Sequence, residues 1–274
     1  FGEMRLNEIT AADVVRWYDS LPHGKAKTVR EAYALAKAIM KTATAADGIL
    51  PGAVNPFAID GAGTIGSRSD KRTEMIEDAD LALILTTIRV EWRAMVALAL
   101  GCGLRFGEII ALRRSDVDLH ARPPVVRVRR AIGTGPDGRY EKEPKSRAGI
   151  RDQRVPEGVV TVLTDHLRTF VSGRDGLLFS SPSGGWLQPT RFRDVSGGWR
   201  DVRRAVGRSI NFHDLRATGA TRLAQRGAHL AEVQAFLGDS SSQAAERYVR
   251  ATQSRMDDLT AAAFAGLDFR ALGQ

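Results

Sequence analysis

The sequence predicts a mainly helical chain with a small β-sheet, an α+β architecture in two parts. Three observations lead there. Long runs carry apolar residues at helical spacing and stop at Gly or Pro. The β-prone residues gather in one region, from Val125 to Val155. Between Ile59 and Arg72 the chain holds Gly61, Gly63, Gly66, Ser67 and Ser69 and ends on Lys71-Arg72, the composition of a flexible, weakly basic linker. The expected division is a helical domain over 1–58, a linker over 59–74, and a larger domain over 75–274 that ends in a C-terminal helix.

In the first part, Thr10 followed by Asp13 is the signature of an N-terminal cap, opening a short helix through about Ser20. A longer helix is expected from about Ala26 to Asp47, stopped by Gly48 and Pro51. On it Lys27, Arg30, Lys37 and Lys41 share one face, and Val29, Tyr33, Ala36 and Met40 share another. A basic stripe suits a helix resting against DNA; it equally suits a solvated outer face. Asn55-Pro56-Phe57 reads as the end of this unit.

In the second part, Ala79 to Ile88 and Glu91 to Leu100 are apolar enough for buried helices. Gly101-Cys102-Gly103-Leu104-Arg105 breaks the pattern and Phe106 to Leu112 resumes it. Arg105 thus enters a helix from a glycine-bounded turn, and Glu108, one turn on, is placed to orient it. By position alone Arg105 is also compatible with plain solvation. Val125 to Ile132 reads as one strand, with Arg127 and Arg129 alternating against Val126 and Val128. Pro136-Asp137-Gly138 reads as a turn, Tyr140 to Glu143 as a second strand and Arg151 to Val155 as a third. Lys145-Ser146-Arg147-Ala148-Gly149 is expected at the hairpin tip between the last two. From Arg127 to Arg154 nine basic residues face four acidic ones, so the hairpin suits a reader of DNA edges or backbone. Glu157 to Phe170 is expected to be helical, Leu177-Leu178-Phe179 a short buried segment, and Arg191 to Arg208 a basic helix. Met256 to Leu272 reads as a terminal helix.

The formal net charge of +8 and sequence pI of about 10.0 favour a polyanionic partner, most simply nucleic acid. Cys102 is the only cysteine, which excludes an internal disulfide and fits a reducing compartment. No apolar run approaches the ~18 residues of a membrane span. The five histidines lack metal-ligand spacing and there is no Gly-x-x-x-x-Gly-Lys phosphate loop, so neither metal nor other cofactor is expected.

The chemistry concentrates between Ile210 and Arg250. His213 and Arg216 stand one helical turn apart, and an imidazole beside a guanidinium is a poor core pair but a good clamp for a phosphate. Tyr248 is flanked by Arg247 and Arg250. A phenol titrates near ~10, so a tyrosine nucleophile needs positive charge about it.

In order along the chain stand Gly103-Leu104-Arg105-Phe106-Gly107-Glu108, Lys145-Ser146-Arg147-Ala148-Gly149, His213-Asp214-Leu215-Arg216, Leu237-Gly238-Asp239-Ser240-Ser241 and Arg247-Tyr248. Five such motifs in this order resemble the tyrosine recombinase (phage integrase) family. The resemblance covers Glu77 to the C-terminus and, more weakly, Leu6–Phe57, which is similar to the latter part of the family's helical core-binding domain. The first helix of that domain, and any arm-binding domain, would lie upstream of Phe1. The resemblance implies that Arg105 and Arg216 clamp the scissile phosphate and that Tyr248 attacks phosphorus to form a 3′-phosphotyrosine link. It further implies that Lys145 protonates the departing 5′ oxygen, that His213 assists proton transfer, and that Glu108 supports the arginine. Lys27, Arg30, Lys37, Lys41, Arg147 and Arg247 become candidate DNA contacts. The implied partner is double-stranded DNA at an attachment or recombination site, engaged by a homotetramer with DNA-bending accessory proteins, in the cytoplasm of a bacterial or phage-infected cell.

Asp239 departs from the family's usual His or Trp. A carboxylate about 4 Å from the phosphate would repel it by about 1 kcal/mol in water and about 4 kcal/mol at an effective dielectric of about 20. Turning away, pairing with an arginine, or protonation would each remove that cost. Two alternatives to an integrase follow: a DNA-binding protein of the same fold with impaired catalysis, and a DNA-relaxing enzyme of the type IB topoisomerase sort.

Overall fold

The computed structural model describes residues 1–62, 75–144, 147–173 and 175–238, with Arg147 described by its backbone only. The chain divides into two compact units, Phe1–Arg72 and Thr73–Gln274.

The first unit is built on two helices. Helix α1 (Ala11–Asp19) opens at Thr10, whose hydroxyl and backbone N–H both meet the Asp13 carboxylate. Helix α2 (Ala26–Ala43) stops four residues before the expected Asp47, because the chain turns back at Thr44 and the Leu50 N–H donates to the Ala43 carbonyl at 2.8 Å. Val29, Tyr33 and Met40 bury the apolar face of α2, while Lys27, Lys37 and Lys41 are exposed and Arg30 is half-buried. Tyr33 is the centre of the core, with the Trp17, Tyr18 and Phe57 rings 5.5–6.5 Å away. Its hydroxyl accepts the Ile59 N–H at 2.8 Å. Ile59 and Ala62 pack into this core, so the unit continues past Phe57 into the stretch expected to be linker.

The second unit is mainly helical with small antiparallel sheets. Helix α3 (Asp78–Thr87) buries only Ile84 fully and leaves Leu83 exposed, so it is a surface helix and not the buried one expected. Helix α4 (Arg93–Cys102) is the buried axis, packed against α6 (Glu157–Phe170) and α9 (Phe212–Gln225). The short α5 (Phe106–Ile109) follows it.

The expected strand over Val125 to Ile132 is two strands in different sheets. β2 (Val125–Val128) lies between β1 (Val117–Asp118) and β5 (Arg151–Arg154), antiparallel to both. β3 (Ala131–Gly135) pairs only with β4 (Gly138–Lys142). The break falls at two arginines drawn in different directions. Arg129 donates to the Arg151 carbonyl and binds Asp152, whereas Arg130 reaches Asp116 at 2.6 Å. Residues 145–149 are therefore not a hairpin tip, because the strands on either side of them belong to separate sheets.

The expected basic helix over Arg191 to Arg208 is also two: α7 (Pro189–Asp194) and α8 (Trp199–Val206). Gly197, at φ +71, turns the chain between them, and its N–H is held by Asp201 at 2.8 Å. Helix α10 (Leu230–Leu237) packs on α9 and ends at Gly238, also left-handed at φ +55. The terminal helix expected over Met256 to Leu272 lies outside the described residues.

Candidate phosphate-binding site

The site is assembled where α4 ends. Gly103 closes that helix in the left-handed conformation, at φ +63, and a Cβ there would sit 2.6 Å from the Phe236 ring and 2.8 Å from its carbonyl oxygen. Only glycine meets both demands without strain. The turn delivers Arg105 as the extended residue that caps α5.

Glu108 fixes that arginine from the first turn of α5. Its Oε2 accepts the Arg105 backbone N–H at 3.0 Å, and its Oε1 accepts from the Arg105 guanidinium at 2.8 Å. Glu108 is 2% exposed. Burial pushes its carboxyl pKa up, but the charge of Arg151, the Arg105 N–H and the charge of Arg105 outweigh this and hold it below its ordinary value. The carboxylate is therefore ionised and can act as a fixed acceptor.

Helix α9 brings the second arginine. The Asn211 N–H donates to Asp214 at 2.7 Å, starting the helix, and His213 follows on its exposed first turn. One turn on, Arg216 is 3% exposed and donates to the carbonyls of Gly103 and Leu237. It thereby ties α9 to the turn that presents Arg105 and to the end of α10. Close approach of α9 to α4 requires Gly219, where a Cβ would stand 2.1 Å from the Leu100 carbonyl oxygen.

Arg105, Glu108 and Arg216 are thus brought to one junction, with His213 a turn away on α9. Lys145, Asp239, Arg247 and Tyr248 lie outside the described residues, and Arg147 falls in a single helical turn, Arg147–Gly149, that precedes β5. Lys27, Arg30, Lys37 and Lys41 belong to the first unit, where Lys37 and Lys41 line an open groove with Ile59 and Asp60. Sequence reading missed Arg151, whose guanidinium binds Glu108 at 3.2 Å and is only 9% exposed. The signal was its place in the strand: Arg151, Gln153 and Val155 alternate onto one face, and Val155 is core. Among the described residues, no cluster of His, Cys, Asp and Glu could hold a metal ion and no helix is long and apolar enough to cross a membrane.

The chemistry of this junction is recognition of an anion with two acidic oxygens by fixed guanidinium forks. Comparison with known proteins agrees. Residues 73–255 match the family described as the phage integrase family. The chain is 37% identical over 269 residues to the putative prophage phiRv2 integrase of Mycobacterium tuberculosis (strain CDC 1551 / Oshkosh), a match covering 95% of this chain and 68% of that relative. It is 29% identical over 259 residues to the integrase of Mycobacterium phage L5, covering 93% of this chain and 67% of that one. Its fold is similar to that of the Tn1549 transposon integrase in complex with transposon right end DNA, with a TM-score of 0.72 at 20% identity, covering 94% and 88% of the two chains. The chain belongs to the phage integrase family of tyrosine recombinases.

Proposed function

We propose that this chain is a site-specific DNA recombinase, an integrase that cuts and rejoins strands through a 3′-phosphotyrosine link on Tyr248. The observation that carries the reading is the tie between Arg216 and the Gly103 carbonyl, which sets two arginines from distant stretches of sequence beside one turn. Family membership supports the general activity, and the relatives named as integrases support DNA as the substrate.

In the proposed reaction Arg105 and Arg216 hold the non-bridging oxygens of the scissile phosphate and stabilise the charge that grows on them in the transition state. The Tyr248 oxygen, its proton passing to a neighbouring base with help from His213, bonds to phosphorus. The bond to the 5′ oxygen breaks, and Lys145 supplies the proton that oxygen takes up. Strand joining is the reverse, with a 5′ hydroxyl attacking the phosphotyrosine. The bond energy is kept in the covalent link, so no ATP is consumed. Lys27, Arg30, Lys37, Lys41, Arg147 and Arg247 contribute phosphate contacts, and the working assembly is a homotetramer on two duplexes, with accessory DNA-bending proteins.

Asp239 favours a second reading, a DNA-binding protein of this fold with weakened chemistry. Incubating the chain with paired attachment-site duplexes and no ATP separates the readings. Recombinant products that vanish with Tyr248→Phe support the integrase. Binding without products supports the second reading. Relaxation of supercoiled DNA with no preferred site would point to topoisomerase-like activity.

A further inference from the structure

The geometry points to Arg151 as a positioning residue that locks together the three chain segments bearing the proposed catalytic groups. The inference rests on the recombinase reading above and names a residue that the motifs do not include. Arg151 opens β5, and its guanidinium touches each segment. Nη2 donates to Glu108 Oε2 at 3.2 Å, so the carboxylate that fixes Arg105 is shared between two arginines. Nη1 donates to the Gly149 carbonyl at 3.2 Å, fixing the return of the segment that carries Lys145. The same guanidinium lies against the end of α10: a Cβ on Gly238 would stand 2.4 Å from Nη1. Gly238 follows Leu237, whose carbonyl takes a hydrogen bond from Arg216.

The charge pattern gives this arrangement its purpose. Glu108 alone beside Arg105 would neutralise much of the cation meant for the phosphate. A second guanidinium on the same carboxylate restores the excess of positive charge, while one face of Arg105 stays fixed by its salt bridge. Arg151 is itself only 9% exposed, with bonds to Glu108, Gly149 and Gln153, so its role is to hold and not to contact DNA. Because a misplacement of about 1 Å can cost about a hundredfold in rate, loss of this lock should act on chemistry before binding.

The test uses the full 274-residue chain with Arg151→Gln and Arg151→Lys. Single-turnover cleavage of a nicked suicide duplex should slow about tenfold to a hundredfold in Arg151→Gln, with unchanged affinity for uncut duplex. Cleavage by that variant should also gain a dependence on pH in the acid range that the parent lacks, because Glu108 has lost a cation. Arg151→Lys keeps the charge but not the fork, and should retain the parent's pH profile at an intermediate rate. Carbon-13 carboxyl titration of Glu108, assigned with Glu108→Gln, reads the link without any activity. A raised Glu108 titration in Arg151→Gln supports the proposal. An identical titration in parent and variant overturns it, whether or not the parent cleaves DNA. A parent that never cleaves would overturn the recombinase reading alone, since the titration still decides the Arg151–Glu108 link. Equal cleavage rates in parent and Arg151→Gln would overturn the positioning role.

Discussion

Arg216 donates to the carbonyl of Gly103, the left-handed residue that ends α4 two positions before Arg105. A buried guanidinium from α9 therefore serves the turn that presents the other arginine, as well as the end of α10 through Leu237. Replacing it orphans two buried carbonyl acceptors. Arg216→Met should lower unfolding stability by about 1–3 kcal/mol, the cost of a buried polar group left without its partner. Chemical denaturation checks this, and stability equal to the parent's would show that the two carbonyls find other donors. Cleavage should be lost in Arg216→Met and severely reduced in Arg216→Lys, because an ammonium cannot span both acceptors as the fork does.

Gly219 sets how closely α9 can approach α4. A methyl group there would fall 2.1 Å from the Leu100 carbonyl oxygen and 3.0 Å from the Phe236 ring. Gly219→Ala should push the helices apart, cost about 1–3 kcal/mol in stability, and slow DNA cleavage more than it weakens DNA binding. Denaturation and single-turnover cleavage measure the two effects side by side. A variant that cleaves at the parent rate would show that the junction tolerates a wider spacing.

Glu108 makes stability depend on pH with a definite sign. Burial raises its pKa, but the Arg151 and Arg105 interactions together outweigh that effect and leave the folded value below 4.5. Its charged form is therefore favoured by folding, and the contribution is fully present above the unfolded pKa. That contribution fades as pH falls through the lowered folded value. Compared with Glu108→Gln, the parent should be more stable at neutral pH, and the gap should close as the solution becomes acidic. Denaturation at a series of pH values reads it, and a gap that widened in acid would contradict the assigned direction.

Much of the junction was legible in the sequence, and the reasons differ from residue to residue. Thr10 with Asp13, and the bounds of α6, follow from local cap chemistry and helical spacing, which need no knowledge of distant chain. The placement of Glu108 one turn after Arg105 is also local. The split of Val125 to Ile132 into β2 and β3 was not legible, because it depends on which strand each half pairs with, and β5 returns from far along the chain to β2. The break between α7 and α8 had a local sign, Gly197-Gly198, that the surrounding arginines obscured. Arg151 was missed for the same kind of reason as the strand split: its partners Glu108 and Gly238 come from other parts of the chain.

The exposed lysines of α2 carry a prediction about binding. If Lys37 and Lys41 each neutralise a phosphate, replacing both by Ala should flatten the slope of log affinity against log salt by about 0.9 per lysine. The weakening should be similar for cognate and unrelated duplexes, since ammonium–phosphate pairs carry no sequence information. Fluorescence anisotropy over a salt series measures it. An unchanged slope would make that face of α2 a solvated one.

The central claim concerns one covalent bond. A duplex nicked just beyond the cleavage position loses its short 5′ fragment after attack, so rejoining is blocked and the protein stays attached to the DNA. Peptide mapping of that adduct by mass spectrometry should find the nucleotide on Tyr248, with none formed by Tyr248→Phe. An attachment at another residue, or no adduct at all on a duplex that the chain binds tightly, would contradict the account.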